Sequence, residues 1–138
     1  MASPNTIQFT DLKVTLVTPP GAPQLSEQAI ADNAKFQVVA EVEAGDAIFN
    51  TLTPPFNIQA VVTDKATGTI ITRNISGTVG TAPWNVQSAS IALPSIPAQG
   101  AASDNHLYEV SAVLSVGAKN PEVEFAPEDV RFIVVKPL

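Results

Sequence analysis

The stretch that decides the fold is AKFQVVAEVEA, residues 34–44. Phe36, Val38, Ala40 and Val42 share one parity, and Gln37, Val39, Glu41 and Glu43 share the other. Period two with one apolar side is the pattern of a half-buried strand, since a helix would space its apolar residues three and four apart. The same alternation recurs at 57–63, where Ile58, Ala60 and Val62 interleave with Asn57, Gln59, Val61 and Thr63. Asp64-Lys65-Ala66-Thr67-Gly68 then reads as a hairpin loop, with Gly where a positive φ is tolerated. Ile70 to Ile75 returns from it, broken off by Gly77 and Gly80.

Further out, Trp84 to Leu93 reads as a strand stopped by Pro94 and Pro97. Tyr108, Val110, Ala112, Leu114 and Val116 define another, and Val130 to Val135 the last. On the amino-terminal side, Ile7 and Phe9 share one parity while Leu12, Val14 and Leu16 share the other. A strand over Ile7 to Val17 therefore needs a bulge or a change of sheet near Thr10 and Asp11. TPPGAPQ at 18–24 is a turn segment, and Ser26 to Asn33 reads as one short helical turn with Ser26 as N-cap. Loops at 45–55 and 94–105 are long enough to cross between sheets. About seven strands and no long helix predict an all-β fold, an antiparallel Greek-key β-sandwich, in one domain over 1–138 with residues 1–6 as an extended arm.

Five segments in order, AKFQVVAEVEA, PFNIQAVVTDKATGT, WNVQSASIALP, HLYEVSAVLSV and VRFIVVKPL, resemble immunoglobulin-like modules of the bacterial and macroglobulin types. The matching residues are Val62, Asp64 and Gly68 at the strand-turn, Trp84, Leu93 and Pro94, then Tyr108 and Val110, and Phe132 and Val134. The resemblance covers about residues 34 to 136 and implies an immunoglobulin-like fold whose members mostly bind or build. It also implies a tyrosine corner at Tyr108, whose hydroxyl would bond a backbone group just upstream. The chain departs from the pattern in having no cysteine pair and no thioester motif. Fold alone transfers no function.

Composition narrows the chemistry. The 138 residues are 45% hydrophobic and 14% charged, with 12 Pro, 7 Gly and no Cys. A chain of this length buries roughly two-thirds of its unfolded surface, enough for a core without staples. Thirteen acidic residues against seven basic give a net charge of −6, which disfavours nucleic acid and anionic membranes as partners. Without cysteine there is no disulfide, thiolate zinc site, Fe–S cluster or cysteine nucleophile. No apolar run approaches the ~20 residues that span a bilayer. The start, MASPNTIQF, lacks the basic and apolar regions of a signal peptide, so an extracellular or virion-surface setting requires leaderless export or a trimmed chain.

Catalytic motifs are sparse. His106 is the sole imidazole, in the turn SDNH, with Asp104 two residues away as its local partner. A hydrolase would also need a serine from elsewhere, and no G-x-S-x-G supplies one. Glu41 and Glu43 belong to a solvated face. Glu122, Glu124, Glu128 and Asp129 read as an acidic loop, the best place for a cation although its spacing matches no known calcium loop. No phosphate cradle occurs, and Asn74-Ile75-Ser76 is a glycosylation sequon. The expectation is a protein that is not an enzyme, with no catalytic residue, metal or cofactor.

The faces opposite the core are more informative. Val39, Val61, Val113, Ile133 and Val135 all point away from the inward set and are the candidate interface residues. They suit a structural or protein-interaction module that joins copies of itself in a surface layer, filament or virion. The alternative is a ligand-binding module, for carbohydrate, using Trp84 with Asn85 and Gln87. An exposed indole favours that alternative; a buried indole favours the structural reading.

Overall fold

The computed structural model describes residues 6–17, 27–119 and 121–137. Strands make up 55% of the structure, arranged in two sheets compatible with a β-sandwich. Sheet A has the order β1 (Ile7–Leu16), β3 (Phe36–Ala44), β6 (Ser88–Ala92). Sheet B has the order β2 (Ala29–Ala31), β9 (Val130–Val135), β7 (Leu107–Val116), β4 (Pro55–Asp64), β5 (Ile70–Thr78), and it curls into a half-barrel. β8 (Glu122–Phe125) also pairs with β7. Because β4 takes the whole of one edge of β7, β9 and β8 divide the other: β9 pairs with residues 107–110 and β8 with residues 113–116.

The alternation read from the sequence places the core. Phe36, Val38, Ala40 and Val42 of β3 are buried, as are Phe56, Ile58, Ala60 and Val62 of β4 and Val110, Leu114 and Val116 of β7. A run of aromatic rings ties the two sheets together. Phe36 of sheet A meets Phe132 of sheet B edge-on, with ring centroids 5.1 Å apart, and Phe132 stacks on Tyr108 at 5.2 Å. Such geometries add to the area these rings bury. The parity change in β1 is resolved by a register shift between Phe9 and Asp11, which lets Ile7, Phe9, Leu12 and Val14 all reach the core.

Four expectations need correction. Ala29–Ala31 is not part of a helical turn but a strand, parallel to β9, with Ile30 buried; Ser26 lies outside the described residues. A single turn of helix has little stability of its own, whereas an extended segment gains a neighbour's backbone and a buried isoleucine. The sheets are therefore not purely antiparallel. Glu122–Phe125 is a strand rather than an acidic loop, because Val123 and Phe125 give the segment a period of two that the charges obscure. Residues 84–87 are not strand, since Gly80 N–H donates to Trp84 C=O and Trp84 N–H to Thr81 C=O, closing a turn before β6. With β2 and β8 included, the described residues form nine strands. The turn segment 18–24 and residues 1–5 of the expected arm lie outside the described residues; Thr6 C=O accepts Gly45 N–H at 2.9 Å.

Candidate functional site

Two surfaces concentrate chemistry, and the first lies where two turns meet. Asp64 ends β4 and Gly68, with φ 79°, ends the turn that follows. The Asp64 carboxylate is only 5% exposed. Its Oδ1 accepts Ala66 N–H at 2.9 Å, and its Oδ2 lies 2.8 Å from His106 Nδ1. Burial raises the carboxyl's proton affinity, but His106, the Ala66 N–H and Thr67 outweigh it and hold the group below the usual carboxylate range. His106 sits just before β7 and retains partial exposure.

Beneath the imidazole, Tyr108 is buried, and its hydroxyl donates to Ser103 Oγ at 3.1 Å with Gln99 Oε1 at 3.4 Å as a second acceptor. Burial foremost, with the Asp64 charge adding to it and Ser103 opposing, raises the phenol above its ordinary value. Asp64, His106, Tyr108, Ser103, Gln99 and Thr67 line a cleft of about 190 Å³. Its polar groups largely satisfy one another, so it is a braced junction between the β4–β5 turn and the loop before β7.

This geometry changes two readings. His106 pairs with Asp64 across the fold and not with its sequence neighbour Asp104. Asp104 instead faces Asp32, and a shared proton between the two carboxyls, more than burial or charge repulsion, raises the Asp32 carboxyl above its usual range while Lys136 opposes the rise. Tyr108 bonds side chains upstream of it rather than a backbone group, so it does not make the tyrosine-corner bond.

The second surface is the outer face of sheet B. Val61 and Val113, half-buried on β4 and β7, flank a shallow apolar groove of about 190 Å³ with Gln59 and Ser111. Phe125, paired with Val113 across β7 and β8, stands over it and is 75% exposed. Ile133 does not join this group. It pairs with Leu107 near the far end of β7, both rather exposed, and the 2.9 Å ion pair of Arg131 and Glu109 lies beside them. Val135 is half-buried further along β9, opposite Ala31. Val39 is fully buried and presents no surface at all. Sequence parity finds the side on which a valine lies but not its neighbours across strands. It does not reveal Phe125, because the acidic segment around Glu122 and Glu124 reads as loop.

Trp84 is fully buried, edge-on to Phe56 at 5.2 Å, and its indole N–H donates to Gln87 C=O at 3.3 Å. Its ring offers no face to a sugar. Asn85 is exposed beside it, and the Gln87 amide donates to Asp46. Among the described residues no group of three or more His, Asp or Glu side chains is placed to hold a metal ion. No helix among them is long and apolar enough to cross a membrane.

No family model and no curated protein matches this chain. Its residues alone carry the functional reading.

Proposed function

We propose that the protein is a structural, protein-interaction module that self-associates within a larger assembly, and that its two sheets form an immunoglobulin-like, Greek-key sandwich. The observation that carries the functional reading is the apolar cluster of Val61, Val113 and Phe125 on the outer face of sheet B. A phenylalanine left three-quarters exposed beside an apolar groove has the character of an interface anchor: a large ring, few rotatable bonds and no polar atom to satisfy. The low charged fraction of the chain supports the same reading, because few side chains keep copies apart. The mechanism is shape and apolar burial rather than chemistry.

Light scattering over a wide concentration range tests it. Association above 14.4 kDa that is weakened by Phe125→Ser or Val113→Lys supports the reading, and a monomer at every concentration overturns it. A second reading, a binding module for a small polar ligand such as a carbohydrate, rests on the cleft at His106 and Tyr108 and no longer on Trp84. Chemical-shift changes confined to His106, Thr67 and Gln99 on adding monosaccharides would support it.

A further inference from the structure

Among the described residues most edge strands carry devices that stop strands from pairing with other chains, and β5 carries the fewest. β2 has 3 residues, β8 has 4 and β6 has 5. β1 is longer, but a register shift interrupts it and Asp11 and Lys13 lie along it. β5 is different. It runs for 9 residues with β4 as its strand partner, and its pairing to β4 is free of register shifts. It contains no proline and no carboxylate, although the chain is acidic overall. β1, β3, β4 and β7, the other strands of comparable length, each carry a carboxylate. The one charged side chain of β5, Arg73, donates to the C=O groups of Ser95 and Thr72 and so covers one edge carbonyl, which a pairing strand must share, while leaving the edge N–H groups without a cation's guard.

The hydrogen-bond phase of the hairpin shows which backbone groups are available. Asp64 N–H donates to Thr69 C=O, and Val79 N–H donates to Pro54 C=O. Bonded pairs alternate along an antiparallel ladder, so odd-numbered residues of β5 bond to β4 and even-numbered ones face away. The N–H groups of Ile70, Thr72, Asn74 and Ser76 therefore point outward from the edge.

We propose that β5 pairs antiparallel with β5 of a second copy, about a twofold axis at Asn74, joining the two B sheets into one. Asn74 is the midpoint of Ile70–Thr78, so this register overlaps the whole strand. It sets Thr72 opposite Ser76 of the second copy and Asn74 opposite Asn74 of the second copy, uncharged pairs that accept side-by-side packing. It also offsets the two Arg73 side chains by two positions, where a twofold axis one residue earlier, at Arg73, would set them face to face. An isologous contact of this kind closes on itself. Combined with a second contact through Phe125, it would extend the assembly beyond a dimer. The inference rests on the self-association reading above and names the edge that begins it.

Two variants and a cross-link test it. Asn74→Lys sets like charges opposite each other on the axis, while an exposed strand position outside the core leaves the monomer's fold intact by circular dichroism and melting temperature. Because the chain has no cysteine, Asn74→Cys and Thr67→Cys each introduce a single thiol. With a short thiol-to-thiol cross-linker, Asn74→Cys gives a covalent dimer and Thr67→Cys, roughly 48 Å from its copy at ~3.4 Å per residue, does not. Association lost in Asn74→Lys together with that cross-linking pattern supports the proposal. An oligomer that persists in Asn74→Lys and does not cross-link through position 74 overturns the edge assignment while leaving self-association standing. A monomer under all conditions overturns both.

Discussion

Asp64 Oδ2 lies 2.8 Å from His106 Nδ1, so a carboxylate at the end of β4 clamps the turn before β7 across a separation of 42 residues. The same carboxylate accepts Ala66 N–H within its own turn. One side chain thus sets the β4–β5 turn and fastens it to the neighbouring loop, and it lines the same cleft as Tyr108.

Because the Asp64 carboxyl is held below its ordinary value of 3.8, it binds fewer protons in the folded state than in the unfolded one. Its contribution is complete above that ordinary value and is lost as pH falls through the lowered one. Asp64→Asn is expected to destabilise the protein by about 1–3 kcal/mol at neutral pH. Urea melts at a series of pH values should show the gap between wild type and variant closing in acid. A gap independent of pH would contradict the assignment.

The Asp32 carboxyl carries the opposite sign. Its hydrogen bond with Asp104 raises its affinity for a proton, so the folded state gains from protonation and this gain disappears as pH rises through the raised value. Asp32→Asn keeps a hydrogen-bond donor toward Asp104 without the second charge. The melting temperature of this variant should exceed that of wild type at neutral pH and converge with it in acid.

Thr15 is fully buried, and its hydroxyl has no hydrogen-bond partner among the described residues. A buried polar group left unsatisfied costs its desolvation, and valine has nearly the same shape without the hydroxyl. Thr15→Val is expected to stabilise the fold by about 1 kcal/mol, measured by denaturant unfolding with an unchanged m-value.

Trp84→Ala removes the largest fully buried side chain and should cost about 3–5 kcal/mol. Tryptophan fluorescence of the native protein should be blue-shifted and insensitive to added sugars. Quenching by a monosaccharide would return Trp84 to the role of ligand platform.

Much of the strand pattern was legible in the alternation of residues. Phe36 to Val42, Ile58 to Val62 and Tyr108 to Val116 announce their buried sides by parity, and the Asp64–Gly68 turn by its glycine. The bulge in β1 was also legible, because Phe9 and Leu12 cannot both face one side of a regular strand. β2 and β8 were not. Ala29–Ala31 is too short to show a period, and its extended form depends on the β9 edge beside it. The charges of Glu122 and Glu124 masked the alternation of Val123 and Phe125.

The candidate sites divide along the same line. Sequence alone gave the side of the sheet on which Val61 and Val113 lie, and it singled out His106, Tyr108 and Trp84 as residues of interest. Only the tertiary structure decided that His106 meets Asp64, that Phe125 stands beside Val113, that Val39 and Trp84 are buried, and that β5 is left at an edge. The reason is physical. Parity and turn chemistry are properties of neighbouring residues, set by backbone geometry over a few bonds. Which strands lie side by side, and in what register, is settled by how two sheets bury their apolar faces together.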